Sequence, residues 1–227
     1  MTKLIVADNV EKYNRHYKEG YDKGYPTLDL VRLEIWYFKK QVGTVLDYGC
    51  GTGVNMIHLL KKGYQVIGID AATESLKLVR AKLASRPALQ KRASLHLLNS
   101  DDERLPCKDE SCDYVVCLSV LSLLLTRERI AHLLTEFHRI LRPGGKMIVD
   151  INGPDGSLVK QGRFVGDDTF EYYLKPGDAE PVRFYCPKTK DIFAKLLSSF
   201  IIDDLGHVSF EYLGHSSIEF IACVRKP

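Results

Sequence analysis

The residues best placed to do chemistry lie in Val45–Gly53, which reads VLDYGCGTG. Asp47 precedes Gly49, Gly51 and Gly53, three glycines at every second position, with Cys50 between the first two. Glycine accepts a positive φ and has no Cβ, so backbone can press closely against a ligand. The apolar pair Val45-Leu46 leads into the loop, and the helix expected over 53–62 follows it. Its first N–H groups have no partner within the helix and can face the same ligand. A second carboxylate, Asp70, closes the apolar run Tyr64–Ile69, roughly 20 residues past the glycines. An acid there can accept both vicinal hydroxyls of a ribose at once, which no apolar or basic side chain can do.

Two other glycine motifs fail on spacing. A phosphate loop requires a lysine after its last glycine, and none follows Gly53. A dinucleotide fingerprint requires G-x-G-x-x-G. Here the third glycine comes one place too early, and counting from Gly51 puts Met56 in the third slot.

The D-x-G-x-G-x-G spacing resembles motif I of the class I S-adenosylmethionine (SAM) methyltransferases. That resemblance implies an α/β fold: a doubly wound, mostly parallel seven-stranded sheet, Rossmann-like, with the last strand antiparallel. It implies SAM as cofactor, with Asp47, Gly49, Cys50, Gly51 and Gly53 beneath it and Asp70 with Ala71 at its ribose. Asp101-Asp102-Glu103-Arg104-Leu105-Pro106 is similar to the family's D-A-x-x-L-P segment, which gives Asp101 the adenine amino group. The next backbone N–H, that of Asp102, is implied to meet the ring, and Asp102 stands where a small residue is more usual. Asp113 matches the acid before the fourth strand, and Leu118 ends that strand beside the cofactor. Many relatives carry a histidine pair where this chain has Ser122-Leu123. Leu141-Arg142-Pro143-Gly144-Gly145 before a strand at 146–151 is the family's structural signature.

The elements that must position these residues can be read in order. Tyr13, Tyr17, Tyr21 and Tyr25 recur every fourth place, which puts them near one helical face, and Gly20, Gly24 and Pro26 break the helix after about Tyr17. Residues 1–40 are therefore expected to be a helical cover or lid, and 41–227 the SAM-binding domain. A helical period continues over Leu28–Phe38. Tyr25-Pro26 ahead of Leu30-Val31-Arg32 is similar to the N-terminal approach of several methyltransferases acting on small molecules. Strands are predicted at 44–48, 64–69, 95–98 and 109–118. Helices are predicted at 73–85, with Thr73 as N-cap, and at 127–141. An insertion at about 152–187 breaks the alternation. It carries two strands, 170–174 and 182–185, around a Lys175-Pro176-Gly177-Asp178 turn. A helix over 188–198 and an antiparallel strand pair, 200–205 and 218–224, close the chain, with His207 and His215 in the loop between them.

Acceptor contacts are expected from the cover and the insertion: Tyr13, Tyr17, Tyr21, Asn152, Tyr172 and Arg183. If a base assists, His16, Tyr17, Asp155 or His207 could serve. Methyl transfer from an activated donor depends mainly on alignment, so no catalytic triad is expected.

Composition bounds the rest. The 227 residues are 45% hydrophobic and 27% charged, the balance of an ordinary globular domain. A net charge of +3 does not make a nucleic-acid footprint. No run of about 18 apolar residues suggests a membrane span, and the N-terminus lacks the apolar run of a signal peptide. The six cysteines form no C-x-x-C pair, so no metal site is expected, and they suit a reducing cytoplasm. The reading is a cytoplasmic methyltransferase, monomer or homodimer, with a small-molecule acceptor. RNA or protein methylation and a non-catalytic SAM-binding module are the alternatives.

Overall fold

The computed structural model describes residues 2–38, 42–175 and 177–227. The boundary expected at 40/41 and Pro176 of the expected turn lie outside them. Helix α1 (Ala7–Lys18) is followed by α2 (Leu28–Leu33), which runs on as a π-helical turn over Glu34–Phe38. The alternating part then reads β1 (Thr44–Tyr48), α3 (Val54–Lys62), β2 (Gln65–Asp70), α4 (Thr73–Ala84), α5 (Pro87–Gln90), β3 (Ala93–Leu97), β4 (Cys112–Cys117), α6 (Arg127–Ile140) and β5 (Leu141–Asn152). The insertion holds α7 (Ser157–Gln161), β6 (Arg163–Gly166), β7 (Thr169–Tyr172) and β8 (Val182–Tyr185). The chain ends with α8 (Lys190–Leu196), β9 (Ile201–Tyr212) and β10 (His215–Arg225).

Seven strands form one sheet in the order β3-β2-β1-β4-β5-β10-β9, and β6-β7-β8 form a second, three-stranded sheet. From β1 to β5 all pairings are parallel, while β10 runs antiparallel to both β5 and β9. The order reverses between β1 and β4. Crossovers leaving these two strands go opposite ways, which opens a crevice at their carboxyl ends.

The continuous apolar runs follow from burial on both faces, since successive side chains of a strand point to opposite sides. Val115 and Cys117 of β4, with Met147 and Val149 of β5, pack under Ile130, Leu133, Leu134 and Phe137 of α6. The intervening Tyr114, Val116 and Ile148 pack on the other side with Met56, Leu59 and Leu60 of α3 and Leu76 and Val79 of α4.

Several boundaries differ from the sequence reading. Thr73 is the first residue of α4 and does not cap it. Ala72 stands at the N-cap without a side-chain bond, and the Glu74 N–H is taken by Asn14 Oδ1 of α1 at 3.0 Å. β5 begins at Leu141, which pairs with Cys112 of β4, and the register shifts across 142–145, where Gly144 has φ 73°, before Lys146 pairs with Tyr114. The final strands are much longer than expected, so His207 and His215 lie in strands. β9 is a largely exposed edge strand and needs no apolar alternation, which hid it in the sequence. Leu213 (φ 51°) and Gly214 (φ 75°) make its tight hairpin turn. The insertion has three strands where two were expected. β6 joins β7 through Asp167 and Asp168, both at positive φ.

Candidate active site

The crevice at the switch point is built from β1 outward. After Tyr48 the chain turns through Gly49 (φ 70°), Cys50 and Gly51 (φ 50°). The N–H groups of Gly49 and Cys50 both donate to the Ile69 carbonyl of the neighbouring strand, at 2.8 and 3.0 Å. A Cβ on Gly49 would stand 2.3 Å from Val120 Cγ2, so the loop and the end of β4 meet through bare backbone.

Asp70 ends β2 beside this loop. Its Oδ2 accepts the Gly51 N–H and its Oδ1 the Ala72 N–H, both at 2.7 Å. These bonds aim the carboxylate and leave each oxygen further lone pairs for hydroxyl donors. Burial raises its pKa, and the two backbone N–H groups partly offset that. Asp47 lies underneath, 2% exposed, with Oδ2 lacking any partner. Burial, and secondarily the charge of Asp70, push its pKa up to about 7, against the pull of the Met56 N–H.

A cavity of about 280 Å³ opens above the loop. Gly49–Thr52 and Asp70–Ala72 form its floor, Leu98 with Leu4–Val6 one wall, and Leu118–Val120 with Leu123 and Leu124 the other. Tyr13, Tyr17 and Tyr21 roof it, and Lys23, Thr27 and Asn55 close one end. That volume is near the lower end of the roughly 300–1,000 Å³ usual for small-ligand sites. Among the described residues, Asp70 is the only carboxylate lining the cavity and Lys23 the only basic side chain. Lys23 Nζ donates to Thr27 Oγ1 at 3.1 Å, and Thr27 N–H donates to Asn55 Oδ1 at 2.9 Å.

Of the residues singled out in the sequence, Gly49, Cys50, Gly51, Asp70, Ala71, Leu118, Tyr13, Tyr17 and Tyr21 are brought together around this cavity. Asp47 and Gly53 support it from behind. The other candidates are not brought in. Asp101 pairs with Lys3, with its side chain 86% exposed, and Asp102 accepts the Asn99 N–H at 2.7 Å. Each carboxylate is thus turned to a local partner, and Leu98 and the N-terminal Leu4–Val6 meet the cavity where an adenine-binding acid was expected. Arg183 puts its guanidinium on Glu171 Oε1 at 2.9 Å, and Tyr172 lies on β7 of the second sheet. Asn152 donates its N–H to Ser122 Oγ at 3.0 Å. His16 stacks on Tyr21 at 4.2 Å and faces a separate shallow cleft, while Asp155 and His207 are exposed.

Sequence reasoning missed Leu4–Val6, Lys23, Thr27, Asn55 and Ser119. Ser119 had a readable signal, since it follows β4 at the switch point. It adopts φ 61°, and its N–H donates to Asp150 Oδ1 at 2.6 Å. Asp150 is 5% exposed. Burial, with the charges of Glu219 and Asp29, pushes its pKa up to about 8 against its bond from Ser119 and the nearby Lys23.

Comparison with known proteins places this geometry in context. Residues 46–149 match the family model described as a methyltransferase domain. The chain is 32% identical over 159 residues to a demethylmenaquinone methyltransferase of Lactiplantibacillus plantarum, covering 68% of this chain and 63% of that one. It spans about half the length of the first curated relatives it matches. A SAM-dependent methyltransferase from Methanosarcina mazei superposes with a TM-score of 0.69 at 22% identity, covering 82% of this chain and 93% of that one. The 1,6-didemethyltoxoflavin-N1-methyltransferase of Burkholderia thailandensis, with bound 1,6-didemethyltoxoflavin and S-adenosylhomocysteine, gives 0.68 at 18% identity over 97% and 86%. The chain has the Rossmann-like fold seen in these SAM-dependent methyltransferase structures, and its residues 46–149 resemble a methyltransferase domain.

Proposed function

We propose that this chain transfers a methyl group from SAM to a small-molecule acceptor. The observation that carries the reading is Asp70, fixed by two 2.7 Å backbone bonds at the floor of the cavity, beside glycine backbone with no side chains in the way. Those groups fit a ribonucleoside: a carboxylate for the vicinal hydroxyls, bare backbone for close approach, and apolar Leu98 and Ile5 for a flat base. When bound, SAM supplies an electrophilic methyl group on a positively charged sulfur.

The chain's own contribution is placement. The Gly49–Gly51 backbone and Asp70 hold one partner, and the roof of α1 keeps water out. Orientation of this kind can lower a barrier by roughly 7–11 kcal/mol. The small, mostly apolar cavity suits an acceptor of small size. No helix among the described residues is long and apolar enough to cross a membrane. The six free thiols, five of them buried, suit a reducing compartment such as the cytoplasm.

Calorimetric titration with S-adenosylhomocysteine tests the reading. Asp70→Ala is expected to weaken binding about 10- to 150-fold, the value of one charged hydrogen-bonding group, with the fold intact. Unchanged affinity would mean that the nucleoside does not sit here.

A further inference from the structure

The roof of the cavity is one face of α1. Tyr13 and Tyr17 are one turn apart with ring centroids 6.2 Å from each other. The helix is fastened on either side of them. Asn9, 4% exposed, donates through Nδ2 to the Leu123 carbonyl at 3.0 Å and the Arg183 carbonyl at 2.9 Å. Its Oδ1 accepts the Arg183 N–H at 3.1 Å. Asn14 caps α4 through Glu74. The two rings are therefore held over the glycine loop without any ligand contact of their own.

Among the described residues, neither hydroxyl has a hydrogen-bond partner. The Tyr17 hydroxyl lies 3.2 Å from where a Cβ on Gly51 would be, which puts it directly over the loop. The charge of Asp70 acts on both phenols. Both residues are half-buried and line the cavity, so a ligand entering it meets two hydroxyls that no protein group engages.

We propose that the Tyr13 and Tyr17 hydroxyls bind the cofactor itself, gripping the sugar and amino-acid part of an S-adenosyl nucleoside from above while Asp70 holds it from below. This rests on the SAM reading given above. It moves both residues from the acceptor to the cofactor and makes α1 half of the nucleoside site. Burial, the largest cause, and the charge of Asp70 keep both phenols protonated: Tyr13 is pushed up to about 12 and Tyr17 higher still. Each is thus a neutral O–H that can donate to a carboxylate or sugar oxygen and accept from a sugar hydroxyl. A group that holds its proton so firmly is a poor base near pH 7, which takes Tyr17 out of that role.

The test uses S-adenosylhomocysteine with the full chain. Tyr13→Phe and Tyr17→Phe keep the rings and remove only the hydroxyls. Each is expected to weaken binding about tenfold, with an unchanged unfolding midpoint in the absence of ligand. Tyr25→Phe, 64% exposed and outside the cavity, should bind as the parent does. Hydrogen exchange supplies a second readout: ligand should slow the amides of Ala7–Lys18 in the parent and much less in the double variant. If both Phe variants bind as tightly as the parent, or if ligand leaves α1 exchange unaltered in the parent, the proposal is overturned and the SAM reading stands. If the parent does not bind S-adenosylhomocysteine at all, the SAM reading falls and this proposal with it.

Discussion

Asp47→Asn is expected to stabilise the protein above neutral pH and to lose that advantage in acid. The Asp47 carboxyl is 2% exposed and one oxygen has no partner. Its pKa rises from the ordinary 3.8 to about 7, first through burial and then through Asp70. A folded value above the unfolded one means that the fold binds the proton more tightly than the open chain does. The stability this confers is complete below pH 3.8, declines as pH rises toward 7, and is gone above it. The whole span is worth about 4 kcal/mol. Asparagine has the same shape and never carries the charge, so at pH 8 the variant escapes that penalty. Its amide N–H₂ finds no acceptor where Oδ2 had no partner, a cost of about 1–3 kcal/mol that does not depend on pH. The net gain at pH 8 is then about 1–3 kcal/mol. At pH 5 most of the parent's penalty has not yet developed, and the variant should be equal or slightly worse. Urea unfolding of both proteins at the two pH values reads the difference directly. Asp150 titrates in both and cancels. The advantage should grow by about 2–3 kcal/mol from pH 5 to pH 8. An advantage that is flat with pH would refute the argument, whatever its size. The same change removes negative charge from beneath the glycine loop, so the added stability is expected to come with weaker cofactor binding.

Two further substitutions test the frame around the site. Gly49→Ala places a methyl 2.3 Å from Val120 Cγ2 on backbone at φ 70°, and should cost about 2–4 kcal/mol in denaturant unfolding. Adding Val120→Ala should recover part of that loss, because it relieves the clash and leaves the backbone strain. Glu136→Ala should cost about 3–5 kcal/mol. The Glu136 carboxylate is buried, holds Arg139 at 2.8 and 2.6 Å, and accepts the Leu105 N–H at 2.8 Å. A loss below about 1 kcal/mol would show that this buried pair does not anchor the 104–107 turn.

The parts of the fold legible in the sequence are those whose residues are determined by near neighbours in the chain. β1 was read to its ends, Thr44–Tyr48, because burial on both faces demands an unbroken apolar run and the glycine loop ends it abruptly. Asp70 was legible as the carboxylate that ends β2, because it closes the apolar run 64–69, and the structure sets it against the glycine loop. The edge strand β9 and the short β6 were harder, since one open face removes the pattern that reports a strand. Asp101 shows a different limit. Its local motif is that of an adenine-binding acid, but Lys3, nearly a hundred residues earlier, takes the carboxylate outward. A motif gives the residue type at a position and does not report which distant cation will reach it first.

The roof of the cavity makes the same point more strongly. The four-residue tyrosine spacing showed that one face of α1 is special, and a count of apolar residues would dock that face by its hydrophobic surface. The helix is instead fastened by two asparagines, residues that such counts score as solvent-facing. Asn9 satisfies one carbonyl beside β4 and both backbone groups of Arg183 in the insertion, and Asn14 satisfies the first turn of α4. The Glu74 N–H lies in the first turn of α4, where a helix offers no partner of its own. The 3₁₀ turn at Leu121–Leu124, the start of β8 and the uncapped α4 thus share one keystone. The position of the tyrosines over Asp70 is decided by these hydrogen bonds on three separate elements, and it becomes visible only when all three are folded.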